Sequence, residues 1–231
     1  MEGVFRFRQF DIRQQDSAFK VGTDAVLLGA AMTLPAGRAR LLDIGTGTGV
    51  IALMAAQRCP EADIDAVEAD EASESEAAFN FKSSPWSERL RTIHCRLQRF
   101  DDAGCYDAIF SNPPYFDNSL ENPDGRKTAA RHTESLSFSE ICAFAGSRLS
   151  TAGTLSLVLP SDVEKALLRT AASFGLYPFR ILRVRTTPVK RPKRIIAEFS
   201  RVRTAVKEED IVIGDEKYRQ MTGEFYLWTF S

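Results

Sequence analysis

Residues 41–58 of the chain, LLDIGTGTGVIALMAAQR, hold the pattern that decides the fold. The apolar run at 41–44 has the length and composition of a strand buried in a parallel sheet. Glycines at 45, 47 and 49 break this run, and residues 50–58 have the composition of a helix that ends before Pro60. A strand, a glycine turn and a helix in this order predict a strand–helix unit of an α/β sheet.

The alternation of short apolar runs with helical segments continues along the chain. It predicts a doubly wound, mostly parallel α/β sheet with helices on both faces. The last two strands flank the turn VKRPKR (189–194), which predicts an antiparallel strand at the C-terminal edge. Ser161 is expected to cap the helix that begins there. The predicted strands are 5–10, 41–44, 64–67, 92–95, 106–111, 153–159, 179–185 and 195–202, and the predicted helices are 20–31, 50–58, 71–81, 138–149, 161–174 and part of 217–230.

The size and composition of the chain are those of one globular domain. Its 231 residues divide into an N-terminal arm and helix at 1–38 and a sheet-and-helix core at 39–231. There is no apolar run of ~18 residues and no secretory signal, so we expect a cytoplasmic monomer that does not enter a membrane. The 4 cysteines form no CxxC pair and only 2 histidines occur, so we expect no metal site.

Charge is nearly balanced overall, with a formal net charge of -1, but it is unevenly distributed. Residues 180–207 carry ten basic side chains and a single acidic one, Glu198. Such a stripe either neutralises the phosphates of a nucleic acid or is a solvated surface that keeps exposed strands apart. The phosphate-binding residues under the first interpretation are Lys190, Arg191, Lys193 and Arg194, together with Arg6, Arg8 and Arg13.

The glycine turn predicts a nucleoside cofactor without phosphate. N–H groups at a helix start after such a turn bind the pyrophosphate of dinucleotides, but Val50 stands where the G-x-G-x-x-G pattern needs its third glycine. Asp43 would repel an anion and attract an ammonium group. Glu68, at the end of the next predicted strand, can accept both ribose hydroxyls. These features favour S-adenosylmethionine over a dinucleotide.

The tetrapeptide NPPY (112–115) follows a predicted strand, at the sheet edge where ligands bind in such folds. Pro113 and Pro114 fix the backbone and remove two N–H donors, so the turn presents carbonyl acceptors. We expect the side-chain oxygen of Asn112 and the carbonyl oxygen of Pro113 to hold the two hydrogens of a target NH2 group near a methyl donor. Tyr115 is expected to stack on the target base.

A series of segments resembles one family over nearly the whole chain. The segments are FRFRQFDIRQQDSAFKVGTDAVLLGA (5–30), LLDIGTGTGVIALMAAQR (41–58), AFNFKSSPWSERL (78–90), FSNPPYF (110–116), ARHTESLSF (130–138) and KYRQMTGEFYL (217–227). The series resembles the bacterial tRNA1(Val) adenine-37 N6-methyltransferases, within the Rossmann-like class I S-adenosylmethionine-dependent methyltransferases. The resemblance implies N6-methylation of an adenine in the anticodon loop of a tRNA.

The resemblance also implies roles for residues at matching positions. Those implied to bind the cofactor are Lys20, Thr23, Asp24, Asp43, Gly45, Gly47, Gly49, Glu68 and Leu97. Arg131 and His132 are implied to contact RNA, although His132 could equally make a loop hydrogen bond. One departure lies just after the third strand, where many relatives carry an aspartate that binds the adenine amino group of the cofactor and this chain has Cys95-Arg96-Leu97-Gln98. Leu97 would pack on the adenine ring, and Gln98 or a backbone carbonyl would make the polar contact.

Other enzymes share this chemistry and stay as alternatives. Guanine-N2 methyltransferases of rRNA often have phenylalanine where Tyr115 stands and often have a duplicated domain. Glutamine-N5 methyltransferases of release factors usually carry an N-terminal helical domain, for which the roughly forty residues before the first sheet strand are too few. DNA adenine methyltransferases are a further alternative. A non-catalytic RNA-binding module would have a broken glycine turn or NPPY, and both are intact.

Overall fold

The computed structural model describes residues 3–101, 103–114 and 136–227. The strands within these ranges are β1 (Val4–Arg6), β2 (Asp11–Arg13), β3 (Ala39–Ile44), β4 (Ala62–Glu68), β5 (Leu90–His94), β6 (Tyr106–Ser111), β7 (Leu149–Pro160), β8 (Tyr177–Arg185), β9 (Arg194–Ser200) and β10 (Lys207–Val212). The α-helices are α1 (Thr23–Ala31), α2 (Val50–Arg58), α3 (Glu71–Lys82), α4 (Phe138–Arg148), α5 (Glu164–Ser173) and α6 (Glu216–Thr222).

The main sheet is 8-stranded, in the order β10-β8-β9-β7-β6-β3-β4-β5. β9 runs antiparallel to both of its neighbours, whereas the other neighbouring strands of this sheet are parallel. The predicted α/β class, the mostly parallel sheet and the antiparallel strand are therefore confirmed. The antiparallel strand is not at the edge, however, because β10 pairs with β8 and takes the edge position. The sequence did not predict β10.

Helices cover both faces of the sheet. Successive side chains of a strand point to opposite faces, and on β3 Leu41 packs in a cluster with residues of α1, α2 and α3. Its neighbour Leu42 packs in a second cluster with residues of α4 and α5. Ala108 and Ile109 of β6 divide between the two clusters in the same way. The apolar runs of the central strands are continuous because both faces are buried, and this confirms the doubly wound arrangement.

The start of α5 differs from the prediction. Residues 161–163 form a 3-10 turn, and the residue that caps α5 is Val163. The hydroxyl of Ser161 instead donates a hydrogen bond to the carbonyl oxygen of Pro192 at 2.6 Å. Ser161 is therefore not the helix cap, and its side chain connects the end of β7 to the turn before β9.

The N-terminal segment, predicted as one strand, is a hairpin of β1 and β2. The rings of Phe7 and Phe10 between these strands stack with 4.6 Å between centroids, and Phe10 meets Trp86 edge-on. The backbone N–H of Arg8 donates to the carbonyl oxygen of Phe225 at 2.8 Å. The hairpin is thus attached to the core by aromatic packing and by a contact with the C-terminal segment.

The strand directions bring several predicted site segments to one edge of the sheet. β3, β4 and β6 are parallel, so their carboxyl ends, at Ile44, Glu68 and Ser111, meet there. β7 and β8 are both antiparallel to β9, so β8 also ends at this edge, at Arg185. The glycine turn, the start of NPPY and the basic turn at 186–193 therefore share the carboxyl edge, where ligands bind in such sheets.

Candidate active site

A cavity of about 910 Å³ opens at the carboxyl edge of the sheet. This volume is within the range of small-molecule binding sites. Predicted site residues that line the cavity are Lys20, Thr23, Asp24, Gly45, Gly47, Glu68, Leu97, Asn112, Pro113 and Pro114. Asp43 and Gly49 are buried, and each is next to a lining residue in the sequence. The structure thus brings the predicted cofactor residues and the described part of NPPY to one cavity.

Two glycines of the turn meet different steric demands. Gly47 and Gly49 have φ angles of 56° and 82°, in the left-handed region that favours glycine. A Cβ on Gly47 would meet no atom of the described residues within 4 Å, so bare backbone faces the cavity. A Cβ on Gly49 would lie 2.5 Å from Cε1 of Phe81. Gly47 therefore allows a ligand to approach closely, and Gly49 allows α3 to pack closely.

Asp43 is a fully buried carboxyl group at the end of β3. Its Oδ2 accepts a hydrogen bond from the Thr46 hydroxyl at 2.7 Å, and its Oδ1 has no hydrogen-bond partner among the described residues. Burial raises the pKa of Asp43 to about 7, although contacts with Thr46 and the Ala52 backbone lower it; the charge of Glu68 adds to the rise. A buried carboxyl oxygen without a partner suits the ammonium group of a ligand.

Glu68 is fixed by backbone N–H groups on two sides. Its Oε2 accepts from the N–H of Gly47 at 2.9 Å, and its Oε1 accepts from those of Ala69 at 2.8 Å and Asp70 at 3.0 Å. Each carboxylate oxygen can accept more than one hydrogen bond. Three of about four acceptor positions are occupied, so Glu68 can hold the glycine turn and still accept one ribose hydroxyl, at Oε2.

The turn after β5 gives the cavity an apolar wall. Leu97 is buried and lines the cavity, as expected of a residue that packs on a ring. Gln98 also lines the cavity, but its Nε2 donates to Oε1 of Glu140 at 2.5 Å. Glu140 in turn forms a capping box with Ser137 at the start of α4. Glu140 lines the cavity too, so α4 holds the Gln98 side chain at the cavity wall.

The described part of NPPY is connected to the glycine turn. The hydroxyl of buried Ser111 donates to the carbonyl oxygen of Ile44 at 2.6 Å, which joins the last residues of β6 and β3. Pro113 is buried, whereas Asn112 and Pro114 are half-buried, and all of them line the cavity. The predicted acceptors for a target amine therefore face the same space as the predicted cofactor residues.

Three predicted residues lie outside the described residues. They are Tyr115, Arg131 and His132. The stacking role of Tyr115 and the RNA contacts of Arg131 and His132 stay predictions.

Asp24 pairs with a residue that was predicted for another role. The Nε of Arg194 lies 2.7 Å from Oδ2 of Asp24. Arg194 was predicted to bind phosphate, and its charge is instead neutralised at the cavity wall. The ion pair joins the first turn of α1 to the start of β9, so the cavity and the basic turn at 186–193 are neighbours.

Other arginines of the basic stripe, those of β8, form ion pairs with acidic side chains of the protein. The acidic residues 208–210 of β10 lie beside the arginines of β8 in the sheet. The ion pairs are Arg180 with Glu198 and Glu209, Arg183 with Glu164 and Glu208, and Arg185 with Asp210. Lys190, Arg191 and Lys193 are exposed in the turn and make no ion pair with the part of the chain that the structure describes. Arg6 and Arg8 are exposed as well, and phosphate binding by all of these residues stays a prediction.

Two buried polar residues of α3 were not predicted as site residues. Glu76 and Asn80 bind the backbone of the segment that leads to α1. They are four residues apart and therefore on one side of the helix. This spacing of two polar side chains was the available signal in the sequence, but it does not reveal which backbone the side chains meet.

The residues at the cavity fit S-adenosylmethionine. Asp43 offers an oxygen to an ammonium group, Gly47 offers an open approach and Glu68 offers an acceptor to a ribose. Within residues 3–101, 103–114 and 136–227, no group of three His, Cys, Asp or Glu side chains is placed to hold a metal ion. Nor does any helix in those ranges have the length and apolarity needed to cross a membrane.

A family model and a curated relative that match this chain are both methyltransferases. The model of the methyltransferase small domain family matches residues 17–175. The chain is 40% identical to a curated tRNA1(Val) (adenine(37)-N6)-methyltransferase of Bacteroides fragilis over 232 residues, which cover 96% of this chain and 97% of that protein.

Two solved structures are similar in fold. A predicted O-methyltransferase of Agrobacterium tumefaciens matches with a TM-score of 0.67 at 16% identity, over 87% of this chain and 96% of that one. The geranyl diphosphate C-methyltransferase of Streptomyces coelicolor, solved with S-adenosyl-L-homocysteine, matches with a TM-score of 0.57 at 13% identity, over 77% and 78%. At these identities the likeness concerns the fold alone.

Proposed function

The chain belongs to the tRNA1(Val) (adenine(37)-N6)-methyltransferase family, and on this premise we propose that it transfers a methyl group from S-adenosylmethionine to N6 of adenine 37 in tRNA1(Val). The observation that carries the proposal is the shared cavity. Asn112, Pro113 and Pro114 line it together with the glycine turn and Glu68, so a target amine and a methyl donor can meet in one space.

The cofactor is oriented by groups with different chemistry. Asp43 attracts the ammonium end of the methionine part, and the bare backbone at Gly47 lets that part lie close to the turn. Glu68 accepts a ribose hydroxyl, and Leu97 packs on the adenine ring. When bound, S-adenosylmethionine supplies a methyl group on a positively charged sulfur. The residues of the chain orient the cofactor and exclude water from the wall of the cavity.

The reaction needs positioning more than it needs a strong base. The side-chain oxygen of Asn112 and the carbonyl oxygen of Pro113 accept the two N6 hydrogens, which directs the nitrogen lone pair at the methyl carbon. The bound cofactor would supply the methyl group to this lone pair and would keep the electron pair of its broken carbon–sulfur bond. The nitrogen then loses one proton to water. Because the amine is neutral at the start, no base has to act before the attack.

The tRNA reaches the cavity across the basic turn at 186–193. Lys190, Arg191 and Lys193 are exposed there, and the Asp24–Arg194 ion pair places this turn beside the cavity. Loop bases of RNA are already partly unstacked, so drawing adenine 37 into the cavity costs little. A tRNA substrate implies that the protein acts in the cytoplasm. A monomeric state stays a prediction.

The proposal is tested by identifying the methylated product. Purified protein is incubated with methyl-labelled S-adenosylmethionine and either unmodified total tRNA or release-factor protein, and the label is identified after digestion. We expect N6-methyladenosine from tRNA, and we expect Asn112→Ala to lower its formation by about 100-fold or more because one acceptor of the amine is lost.

Asn112→Ala should bind S-adenosylhomocysteine as the wild type does, which controls for folding and for the cofactor site. Label on glutamine or on guanine N2 would contradict the proposed substrate while keeping the cofactor assignment. Full activity of Asn112→Ala on tRNA would contradict the role of the NPPY acceptors.

A further inference from the structure

We call residues 13–22 the strap. It begins with Arg13, the last residue of β2, and continues without regular structure to Gly22, the N-cap of α1. Ala18, Phe19 and Lys20 of the strap line the cavity. A segment of this kind has no backbone ladder of its own, so its conformation depends on other groups. Several of those groups come from α3, in addition to the Gln14 side chain, which accepts from the N–H of Val21, and the Gly3 carbonyl, which accepts from that of Gln14.

Glu76 holds the first half of the strap through successive backbone groups. Its Oε1 accepts from the N–H groups of Gln15 at 2.6 Å and Asp16 at 3.2 Å, and its Oε2 accepts from the N–H of Ser17 at 2.9 Å and the Ser17 hydroxyl at 2.5 Å. The Glu76 side chain is 0% exposed. Burial raises the pKa of Glu76, but the hydrogen bonds from Ser17, Gln15 and Asp16 together outweigh burial and lower it. The strap backbone thus forms an anion-binding nest around a protein carboxylate.

Asn80 joins the strap to the glycine turn. Its Oδ1 accepts from the N–H of Arg13 at 2.9 Å, and its Nδ2 donates to the carbonyl oxygens of Arg13 and Thr48, each at 2.9 Å. Thr48 lies in the glycine turn and lines the cavity. One buried amide therefore joins the start of the strap to the glycine turn. Further support comes from Ser73, whose hydroxyl accepts from the N–H of Ala18 at 3.2 Å.

These contacts are not needed merely to attach the N-terminal arm. The hairpin before the strap is attached by the stacking of Phe7 on Tyr226, with 6.1 Å between centroids, and by the edge contact of Phe10 with Trp86 at 5.7 Å. The buried Glu76 carboxylate accepts hydrogen bonds from three consecutive N–H groups and also lies 3.6 Å from Nε of Arg13. These contacts fix a single backbone conformation for the segment that lines the cavity.

We propose that Glu76 and Asn80 are positioning residues for S-adenosylmethionine, which fasten the strap to α3 and so couple the order of the strap to cofactor affinity. This inference rests on the proposed function only for the identity of the cofactor. Lys20, Thr23 and Asp24, at the end of the strap and the start of α1, reach the cofactor only when the strap is held in this conformation. The coupling is reciprocal, so a bound cofactor also stabilises the strap.

The test compares Glu76→Gln with Glu71→Gln, a matched loss of one charge on an exposed residue of the same helix. S-adenosylhomocysteine binding is measured by calorimetry well below each variant's melting temperature. We expect Glu76→Gln to weaken binding about 10-fold and Glu71→Gln to leave it unchanged. With saturating S-adenosylmethionine, kcat on tRNA should stay within about 2-fold of wild type, because only binding is affected. Ser17→Ala, which removes one hydrogen bond to Glu76, is a milder variant that should weaken binding by about 3-fold.

Hydrogen exchange of the amides at 15–17 gives a second readout. These amides should exchange faster in Glu76→Gln, and S-adenosylhomocysteine should slow them again. The inference is overturned if Glu76→Gln and Ser17→Ala lower the melting temperature yet bind S-adenosylhomocysteine as tightly as the wild type, or if the ligand leaves strap exchange unchanged. A wild type that binds no S-adenosylhomocysteine would overturn the cofactor assignment itself, which is a different result.

Discussion

Asp43 is a carboxyl group in a buried position, with one oxygen bonded to Thr46 and the other without a hydrogen bond among the described residues. Its pKa is raised to about 7, first of all by burial. A raised pKa means that the ionised form is disfavoured until a positive group approaches. The ammonium group of the cofactor is such a group, so cofactor binding favours loss of the proton from Asp43.

This linkage predicts the pH dependence of cofactor affinity. Below pH ~7 Asp43 holds a proton that binding must remove, so S-adenosylhomocysteine should bind up to about 10-fold more weakly for each further pH unit. The affinity should level off above pH ~7.5, where Asp43 is already ionised. Calorimetry between pH ~6 and ~8 measures the slope.

The Asp43→Asn variant should bind more weakly but with little pH dependence, because an amide does not titrate. His94→Gln should keep the wild-type slope; it controls for the other side-chain type that commonly changes charge in this range. If the affinity of Asp43→Asn depends on pH as steeply as that of the wild type, a group other than Asp43 causes the pH dependence.

At the scale of elements, the pairing of β10 with β8 explains why the sequence overstates the positive charge of the region around the basic turn. Residues 180–207 look like a cationic stripe in the sequence, but the acidic residues that neutralise β8 follow at 208–210. Only strand pairing reveals that these residues are neighbours, since β10 has the sequence KEEDIV and lacks the apolar alternation that predicts a strand. Lys190, Arg191 and Lys193 of the turn at 186–193 are exposed and make no ion pair with the described residues.

This arrangement predicts a salt-dependent contribution of the turn to tRNA binding. Each phosphate contact adds about 0.7 to 0.9 to the slope of log Kd against log salt concentration, so replacing Lys190, Arg191 and Lys193 by Gln should lower the slope by about 2. Filter binding of tRNA over a range of salt concentrations measures it.

Arg38→Gln is the control, because Arg38 is exposed but precedes β3 at the opposite edge of the sheet. The triple variant should retain wild-type affinity for S-adenosylhomocysteine. An unchanged salt slope in the triple variant would show that the turn does not contact tRNA phosphates.

For the whole molecule, the sequence predicts what depends on short-range patterns. The apolar runs at 41–44 and 106–111, the glycines between 45 and 49, and the acidic Glu68 indicate the sheet, the cofactor turn and the edge where they meet. The strap is different, because Glu76 and Asn80 bind backbone groups about sixty residues earlier in the chain. Contacts of this kind depend on the tertiary fold and leave no local pattern to recognise.

In the proposed function, this fold brings one adenine of one tRNA to the methyl donor. The measurement that tests it most directly uses the wild-type protein, S-adenosylmethionine and two tRNA1(Val) transcripts, one with adenine at position 37 and one with guanine there. Mass spectrometry of the digested nucleosides should find N6-methyladenosine in the first transcript, approaching one per tRNA, and none in the second. Equal N6-methyladenosine in both transcripts, or none in the first, would contradict the account.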